Sequence, residues 1–348
     1  MSLLDIRGLQ VRFETEAGSL CAVDGVSLEL RRGEVLGLVG ESGCGKSALA
    51  MSVPQLLPMP PARIAADSIA LDGVRLDTLA PEALQGLRGR RIGVIFQEPM
   101  TALSPLHRVG DQIAEAIRLH CRVPQAELRR QVQEWLGRVG IPEPAARARC
   151  WPHELSGGMQ QRIMIAMALV HDPDLVIADE PTTALDVTTQ AQVLALLRRL
   201  HRRQSGLLLI THDMGVIWEL ATRVAVMYAG QIVETAPCEA LFARPLHPYT
   251  QALLAALPSA ATRGRRLLAI PGQVPSPLNW PTGCRFRERC AHAMPCCAES
   301  DPGLLPCGEE RASRCFLVRD GQDMHVGAQV QDTPAQAPTG NMTPASKK

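Results

Sequence analysis

The segment GESGCGKS, from Gly40 to Ser47, has the residue types and spacing needed to hold a polyphosphate. It fits the pattern G-x-x-x-x-G-K-[ST], with an apolar run before it and a helical pattern after it. Its glycines let backbone N–H groups close around phosphate oxygens at a helix N-terminus. Lys46 would reach the β- and γ-phosphates, and Ser47 would bind Mg²⁺. Lys46 is the only lysine before the pair Lys347 and Lys348, which argues against a chance glycine turn.

Two adjacent carboxylates end the segment LVIADE, residues 175–180. Ligands of an open α/β sheet bind beyond the carboxyl ends of its strands, so Asp179 and Glu180 would lie at the phosphate site. Asp179 would hold Mg²⁺, directly or through water, and Glu180 would polarise an attacking water as general base. One acidic residue at a strand end is usually only solvated, but two of them in a chain with a phosphate loop favour the catalytic interpretation.

A second anion site is indicated by the segment ELSGGMQQR, residues 154–162. Ser156, Gly157 and Gly158 stand at the start of an apolar helix, where free backbone N–H groups attract anions. On this segment alone, an ordinary serine N-cap is the better interpretation. One nucleotide seldom needs two such sites from one chain, so the second site needs a further explanation.

The elements that must position these residues alternate between strand and helix. Apolar and polar residues alternate at 3–12 and 20–30, which predicts a small antiparallel sheet. Unbroken apolar runs predict the buried strands of a mostly parallel sheet at 34–40, 91–96, 174–179, 207–213 and 223–230. Helical patterns follow at 46–57, 110–150, 158–170 and 188–204. This alternation predicts an α/β fold.

Composition limits the class of protein. A chain of 348 residues fits two domains of roughly 100–200 residues each. Its net charge of +1 gives no electrostatic argument for a nucleic-acid partner. The sequence shows no signal-peptide pattern and no run of about 18 apolar residues, so we expect a cytosolic chain unless a partner holds it at a membrane.

Taken together, these segments resemble the ATP-binding-cassette (ABC) ATPases in order and spacing, over residues 1–240. The resemblance rests on GESGCGKS, on Gln97 in IFQEPMTALSP, on LSGGMQQR, LVIADE and TTALD, and on His212 in LLITHD. It implies a P-loop ABC ATPase domain with an antiparallel β subdomain, a mostly parallel RecA-like core and a helical subdomain at 98–165. It also implies ATP and Mg²⁺ as ligands and a head-to-tail dimer, in which the signature LSGG of one subunit meets the ATP of the other. Such a dimer explains the second anion site.

The resemblance also implies roles for individual residues. Glu180, His212 and Gln97 would be catalytic, and Asp186 would lie at the dimer seam. Magnesium would be held by Ser47, Gln97 and Asp179. Phe13 would stack on adenine, and the remaining ATP-binding residues would be Gly40, Glu41, Ser42, Gly43, Cys44, Gly45, Lys46 and Ser47. The signature residues facing the partner's ATP would be Ser156, Gly157, Gly158 and Gln160. A thiol at Cys44 predicts sensitivity of this site to thiol reagents.

Six of the eleven cysteines lie between Cys284 and Cys315. The spacing lacks the C-x2-C pairs of most zinc ribbons and matches no ferredoxin run, so it indicates either a soft-metal site or unrelated reduced thiols. The segments ARPLHPYTQALLAALP and IPGQVPSP, with the cysteines after them, resemble the C-terminal extension of dipeptide and oligopeptide importer ATPases, a branch that includes nickel importers. That resemblance implies a [4Fe–4S] cluster on Cys284, Cys290, Cys297 and Cys315, with Cys296 as the alternative to Cys297.

The resemblance implies a function as well. We expect an ATP-hydrolysing energy-coupling subunit of an importer for dipeptides or oligopeptides, at the cytoplasmic face of the bacterial inner membrane. Residues 98–155 would dock on two transmembrane permease subunits, and an extracytoplasmic substrate-binding protein would select the cargo. The segments RIAADSIALDG and FQEPMTALSP are more similar to the first, D-type ATPase of such a pair. A heterodimer with a paralogous ATPase is therefore expected, with a homodimer as the alternative.

Two other functions remain open at this point. One is an importer ATPase for nickel or another small solute; the other is an ABC ATPase of DNA repair or of iron–sulfur assembly. The sequence has no coiled-coil insertion, no C-x2-C pair and no basic stripe, so no nucleic-acid partner is expected. The predicted organisation is an ATPase domain at 1–240, an extension carrying the cysteines at 241–318, and a polar, disordered tail at 319–348.

Overall fold

The computed structural model describes residues 2–183, 185–257, 269–308 and 310–318, and the tail predicted at 319–348 lies outside these ranges. The strands are β1 (Ser2–Thr15), β2 (Gly18–Arg31), β3 (Val35–Val39), β4 (Ala62–Ala65), β5 (Ser68–Leu71), β6 (Val74–Arg75), β7 (Ile92–Ile95), β8 (Leu175–Asp179), β9 (Gly206–Ile210), β10 (Arg223–Tyr228), β11 (Gln231–Pro237), β12 (Leu305–Pro306) and β13 (Ala312–Ser313). The α-helices are α1 (Lys46–Ser52), α2 (Pro81–Leu87), α3 (Pro99–Ala102), α4 (Val109–Arg118), α5 (Gln125–Arg138), α6 (Pro144–Arg147), α7 (Gly157–Leu169), α8 (Val187–Leu200), α9 (Met214–Leu220), α10 (Cys238–Ala243), α11 (Pro248–Ala255) and α12 (Cys296–Glu299). Short 3₁₀ turns occupy Pro152–Glu154, Arg287–Arg289 and Phe316–Val318.

The N-terminal strands form the predicted antiparallel sheet. β1 is its centre, pairing with β2, β4 and β5, and β5 also pairs with β6. Apolar side chains of β1, such as Leu4 and Ile6, are fully buried, while alternate positions are more exposed. This alternation is the pattern of a sheet with one face on a core, and the prediction from 3–12 and 20–30 is confirmed.

The second sheet positions the candidate site residues, which follow its parallel strands. Its strand order is β12-β13-β11-β10-β3-β9-β8-β7, and β10, β3, β9, β8 and β7 run parallel. Every residue of β3, β8 and β9 is buried, as expected for strands covered on both faces. Because these strands are parallel, the segments that follow them emerge at one edge of the sheet. The phosphate loop, Asp179 and His212 are thereby brought to the same edge.

Between β7 and α7 the chain is helical, as the sequence predicts. Helices α4 and α5 pack on each other and on α7, around buried residues that include Ile113, Trp135 and Leu136. Among the residues that the structure describes, 96–174 contain no strand. In the same described ranges, no helix is both long and apolar enough to cross a bilayer.

The extension after residue 240 packs into the core of the preceding part. Tyr249 of α11 and Phe286 are buried against Tyr228 of β10, with ring centroids 4.6 and 5.2 Å from that of Tyr228. β13 pairs with β11 and so lengthens the main sheet. The change in composition near residue 240 therefore marks a new segment that shares the core of the ATPase fold.

Candidate functional site

The phosphate loop is a tight connection between β3 and α1. A Cβ at Gly45 would lie 2.2 Å from the carbonyl oxygen of Ala22, and one at Gly40 would lie 2.1 Å from that of Met227. Gly43 and Gly45 also have φ angles of 78° and 107°, which favour glycine. The loop is therefore wedged between β2 and β10, and its backbone conformation depends on the glycines.

Lys46 places its charge inside this loop. Its side chain is buried, and Nζ donates to the carbonyl oxygens of Gly40 at 2.8 Å and Glu41 at 3.0 Å. An ammonium group has three donors, and Nζ also lies 3.7 Å from Cys44 Sγ, a weak acceptor that a phosphate oxygen would replace. A polyphosphate held by the loop would contact this ammonium group.

Cys44 does not offer a reactive thiol. Its side chain is 1% exposed, and burial raises the pKa of the thiol, against the opposing effect of Lys46. Because the thiolate is the reactive form and solvent access is lost, the structure argues against the predicted sensitivity to thiol reagents. Only the backbone of Cys44 can face a nucleotide, whereas Ser42 and Gly43 are exposed at the tip of the loop.

Asp179 and Ser47 form an oxygen-rich site beside the loop. Asp179 ends β8 and is 5% exposed, and its Oδ1 is buried with no hydrogen-bond partner among the described residues. Burial raises the pKa of Asp179, and a hydrogen bond from Ser47 opposes that effect. An unpartnered carboxylate oxygen next to a hydroxyl is a donor set that Mg²⁺ prefers. The residues therefore fit the ion.

Glu180 is the centre of a hydrogen-bonded group of three residues from three strand ends. Its Oε2 accepts from Gln97 Nε2 at 3.2 Å, and its Oε1 lies 3.2 Å from His212 Nδ1. Glu180 has a φ of 47°, a left-handed backbone that a non-glycine residue rarely adopts and that clusters at functional sites. The structure thus brings together the three residues that the sequence analysis names as catalytic.

Thr183 is a member of this group that sequence reasoning missed. Its hydroxyl donates to Glu180 Oε2 at 2.9 Å. Burial acts to raise the pKa of Glu180, but hydrogen bonds from His212 and Thr183 and the charge of Lys46 outweigh it, and the pKa is lowered. Glu180 is therefore ionised at neutral pH and can accept a hydrogen bond from water. The signal for Thr183 was its place in TTALD, which begins one residue after the two carboxylates.

The signature segment begins α7. Ser156 is the N-cap, accepting from the Met159 backbone N–H at 3.3 Å, and Ser156 and Gly157 are exposed. A Cβ at Gly158 would lie 2.5 Å from Cγ2 of Thr189, so α8 closely covers this turn. The exposed part of the first turn is therefore Ser156 and Gly157, and Gly158 is half-buried beside α8.

Gln160 differs from the other signature residues. Its side chain is buried and donates to the carbonyl oxygens of Pro152 at 2.8 Å and Leu155 at 3.1 Å. These bonds hold the turn that carries Ser156. The side chain points inward because the backbone carbonyls of Pro152 and Leu155 accept its hydrogen bonds. Its contact with a nucleotide on a partner subunit stays a prediction.

Asp186 is the N-cap of α8. Its carboxylate accepts from the Thr189 backbone N–H at 3.0 Å and from the Thr189 hydroxyl at 2.8 Å, and the backbone bond lowers the pKa of Asp186. The next residue, Val187, is 84% exposed. The two residues stand on the surface beside Gly158.

Phe13 lies on β1, opposite Leu20 of β2 and Ala62 of β4. Its ring is partly buried and packs against the core under the antiparallel sheet. This position is compatible with a core residue, and the role toward adenine stays a prediction.

The four cysteines chosen as ligands line one small pocket. Its walls also include His247, Phe286 and Met294, while Cys296 is not part of its lining. Burial raises the pKa of Cys284 and Cys290, and that of Cys315 to about 12. In the described part of the chain, no three His, Cys, Asp or Glu side chains are placed to hold a single metal ion. The pocket therefore brings four thiols to one small space, but the described residues do not place three of them around a single point.

Comparisons with known proteins agree with this site. The family model described as "ABC transporter" matches residues 23–183, and the one described as "Oligopeptide/dipeptide transporter, C-terminal region" matches residues 233–297. A dimeric bacterial ABC transporter cassette superposes with a TM-score of 0.61 and 25% identity, over 68% of this chain and 98% of the other. An ATP-binding cassette with ADP and Pi bound, in a post-hydrolysis state, has a TM-score of 0.60, also at 25% identity and with the same shares covered.

Sequence relatives extend this likeness to nearly the whole chain. A probable peptide ABC transporter ATP-binding protein of Sinorhizobium fredii is 49% identical over 317 residues, 90% of this chain and 94% of the relative. The dipeptide transport ATP-binding protein DppD of Escherichia coli is 44% identical over 321 residues, 92% of this chain and 98% of the relative. The chain belongs to the ATP-binding subunits of ABC transporters, in the oligopeptide/dipeptide transporter family.

Proposed function

We propose that this ATPase drives import of dipeptides or oligopeptides by hydrolysing ATP between two cassettes. The observation that carries the hydrolytic part is the convergence of Gln97 and His212 on the ionised Glu180, beside a complete phosphate loop. Support for peptides as cargo comes from relatives named for peptide or dipeptide transport and from the match of residues 233–297 to the transporter-specific C-terminal region.

The site residues support a division of labour during hydrolysis. Lys46 and the loop N–H groups would bind the β- and γ-phosphates. Ser47 and Asp179, with Gln97 as the third predicted ligand, would hold Mg²⁺, which would neutralise charge on the phosphate oxygens. Glu180 accepts a hydrogen bond from the attacking water and orients it in line with the γ-phosphate. His212 holds the Glu180 carboxylate, and Gln97 connects this carboxylate to the helical subdomain that follows β7.

A second cassette completes each site in this proposal. The exposed Ser156 and Gly157 would meet the γ-phosphate bound by the partner, and Asp186 and Val187 would lie at the seam. The dimeric cassette of similar fold supports this arrangement. We favour a paralogous ATPase as the partner, because one chain holds one phosphate loop and one signature and resembles the first member of a pair.

Permease subunits would dock on residues 98–155, at the cytoplasmic face of the inner membrane, with a substrate-binding protein on the other side. Phe96, which precedes Gln97, is 41% exposed, and Leu106, within the predicted docking segment, is 78% exposed, which leaves apolar surface available for a partner. ATP binding would close the dimer, and the shift of the helical subdomains would move the permeases.

Recovery of the assembled transporter tests these partners. We expect a tagged form of this chain, purified from detergent-solubilised membranes of its own cells, to carry a second ABC ATPase and two permease proteins. A Leu106→Glu variant should lose the permeases, because a charge would be buried at the interface. An Arg63→Glu variant, at an exposed position of β4 outside residues 98–155, should keep them. Recovery as a homodimer would contradict the paralogous partner, and recovery without permeases would contradict the docking proposal.

We also propose that the cysteine pocket binds a [4Fe–4S] cluster through Cys284, Cys290, Cys297 and Cys315. The support is that four thiols separated in sequence line one pocket while Cys296 stays outside it. A cluster spreads its four thiolates over four irons, whereas a zinc ion gathers them at one point. Binding requires the thiols to lose their protons, so metal affinity should rise with pH.

Chemical analysis of protein purified without oxygen tests the cluster. About four iron and four sulfide per chain, with a broad absorption in the visible range, are the expected result. Cys290→Ser should remove the absorption, and Cys296→Ser should retain it as the matched control. One zinc per chain, no metal, or equal loss in both variants would contradict this ligand set.

A further inference from the structure

We propose that Arg289, in the cysteine-rich extension, is a positioning residue of the ATP site: it fixes the phosphate loop by holding Glu41. Glu41 is the second residue of GESGCGKS, so the extension would set the shape of the loop that binds the phosphates. This inference concerns the ATPase itself and stands independently of the transported substrate and of the cluster.

Arg289 grips the Glu41 carboxylate with both ends of its guanidinium. Nη1 donates to Oε2 at 2.6 Å and Nη2 donates to Oε1 at 3.0 Å, while Nε donates to the carbonyl oxygen of Pro271 at 2.8 Å. The Arg289 side chain is 4% exposed. A bidentate pair of this kind fixes direction as well as distance, and water screens it little when the arginine is buried.

A second group from the extension holds the Glu41 backbone. The Glu41 N–H donates to the hydroxyl of Tyr249 at 2.9 Å, and Tyr249 is fully buried. Tyr249 packs against Tyr228, whose hydroxyl lies 3.4 Å from Nη1 of Arg289. The side chain and the backbone of Glu41 are therefore both held from residues outside the ATP-binding motif.

Glu41 in turn contacts the lysine of the loop. Its carbonyl oxygen accepts from Lys46 Nζ at 3.0 Å. The three polar groups of Glu41 thus connect Arg289, Tyr249 and Lys46. Releasing the carboxylate would let the Glu41 peptide turn, and this would move an acceptor of the ammonium that binds the phosphates.

Arg285, four residues before Arg289, contacts the turn and the strand that pack against the phosphate loop. Arg285 bonds to Asp24 on β2 and to the carbonyl oxygen of Ala229. The next residue, Gly230, donates its N–H to the carbonyl oxygen of Cys44 at 3.0 Å. The extension therefore reaches both the start of the phosphate loop and the turn against which the loop rests, as expected of a segment that positions it.

If Arg289 only attached the extension to the ATPase core, its substitution would have a different effect. An attachment bond contributes to thermal stability and leaves ATP affinity alone, whereas a positioning bond changes affinity through Glu41. Arg314 provides the matched control: it pairs with Asp301 at 2.7 Å in the same extension, and its side chain is 17% exposed. Within the described residues, its side chain bonds to Asp301 and to the carbonyl oxygen of Ile232, not to the phosphate loop.

The test is ATP affinity of the full-length chain, measured with a fluorescent ATP analogue and checked against the KM of hydrolysis. Arg289→Gln should raise the Kd about tenfold, a typical coupling between sites, and raise KM with little change in kcat. The Kd of the Arg289→Lys variant should lie between those of Arg289→Gln and the wild type, because lysine keeps the charge but cannot form the bidentate pair. Glu41→Gln with Arg289→Gln should be no worse than either change alone.

A control variant and a second test variant complete this experiment. Arg314→Gln should lower the melting temperature but keep the ATP Kd within about twofold of wild type, since distant sites are independent. If Arg289→Gln does not fold, Tyr249→Phe should still raise the Kd, because it removes the hydroxyl that accepts from Glu41. An unchanged Kd in a folded Arg289 or Tyr249 variant, an equal rise in Arg314→Gln, or additive effects of the Glu41 and Arg289 changes would overturn the proposal.

Discussion

Glu180→Gln should lower the rate of ATP hydrolysis about 10²–10⁴-fold, the contribution typical of general-base catalysis. The Glu180 carboxylate accepts hydrogen bonds from Gln97, Thr183 and His212, and these contacts keep it ionised and fix its orientation. An amide of the same shape preserves part of this network but cannot draw a proton from water. Because the change leaves Lys46 and the phosphate loop intact, ATP binding should be retained.

Steady-state phosphate release, measured beside ATP binding, checks this prediction. Glu134→Gln is a suitable control because, among the described residues, Glu134 pairs with Arg130 and Arg138 on the same helix α5. The variant should also accumulate as an ATP-bound dimer, since closed cassettes cannot reopen without hydrolysis. Hydrolysis within a few-fold of wild type would mean that another group activates the water.

Lys46→Ala is expected to weaken ATP binding about 10²-fold, the upper range for a hydrogen bond to a charged group. Lys46 supplies the positive charge of the phosphate loop, and its bonds to the carbonyl oxygens of Gly40 and Glu41 hold the ammonium group in the loop. Lys46→Arg should also bind poorly, because the buried space around Nζ does not suit a larger guanidinium.

Isothermal titration with ATP and Mg²⁺ measures this effect directly. A matched change is Arg12→Ala, on an exposed position of β1, which removes a cation without touching the loop and should leave affinity near the wild-type value. Retained affinity in Lys46→Ala would contradict the assignment of GESGCGKS as the phosphate-binding loop.

Local patterns were sufficient to predict the α/β fold and the phosphate loop, whereas the ABC ATPase architecture came from the family resemblance. The strands β3, β8 and β9 are continuous apolar runs, and the residues directly after them are those that carry the chemistry. Adjacent strands of a parallel sheet end at one edge, so Lys46, Asp179 and Glu180 could be placed together without coordinates. Gln97 and His212 needed the family resemblance, because a glutamine or a histidine after a strand is not distinctive by itself.

Contacts between distant segments could not be predicted from such patterns. Arg289 and Glu41 are 248 residues apart, and nothing in the composition of either segment pairs them. The inward position of Gln160 follows from two nearby carbonyls that need donors, and the burial of Cys44 follows from the packing of the loop on β10. Adjacent residues of a helix point about 100° apart, so α12 directs Cys297 into the pocket and Cys296 away from it.

The central claim is that ATP hydrolysis at Glu180 drives peptide import. The most direct measurement is uptake of a labelled dipeptide by vesicles that contain the transporter purified through this chain, with ATP on the side of the ATPase and the binding protein on the other. We predict uptake that requires ATP and falls to background with Glu180→Gln, at unchanged levels of all subunits. ATP hydrolysis without dipeptide or oligopeptide uptake, or equal uptake with Glu180→Gln, would contradict the account.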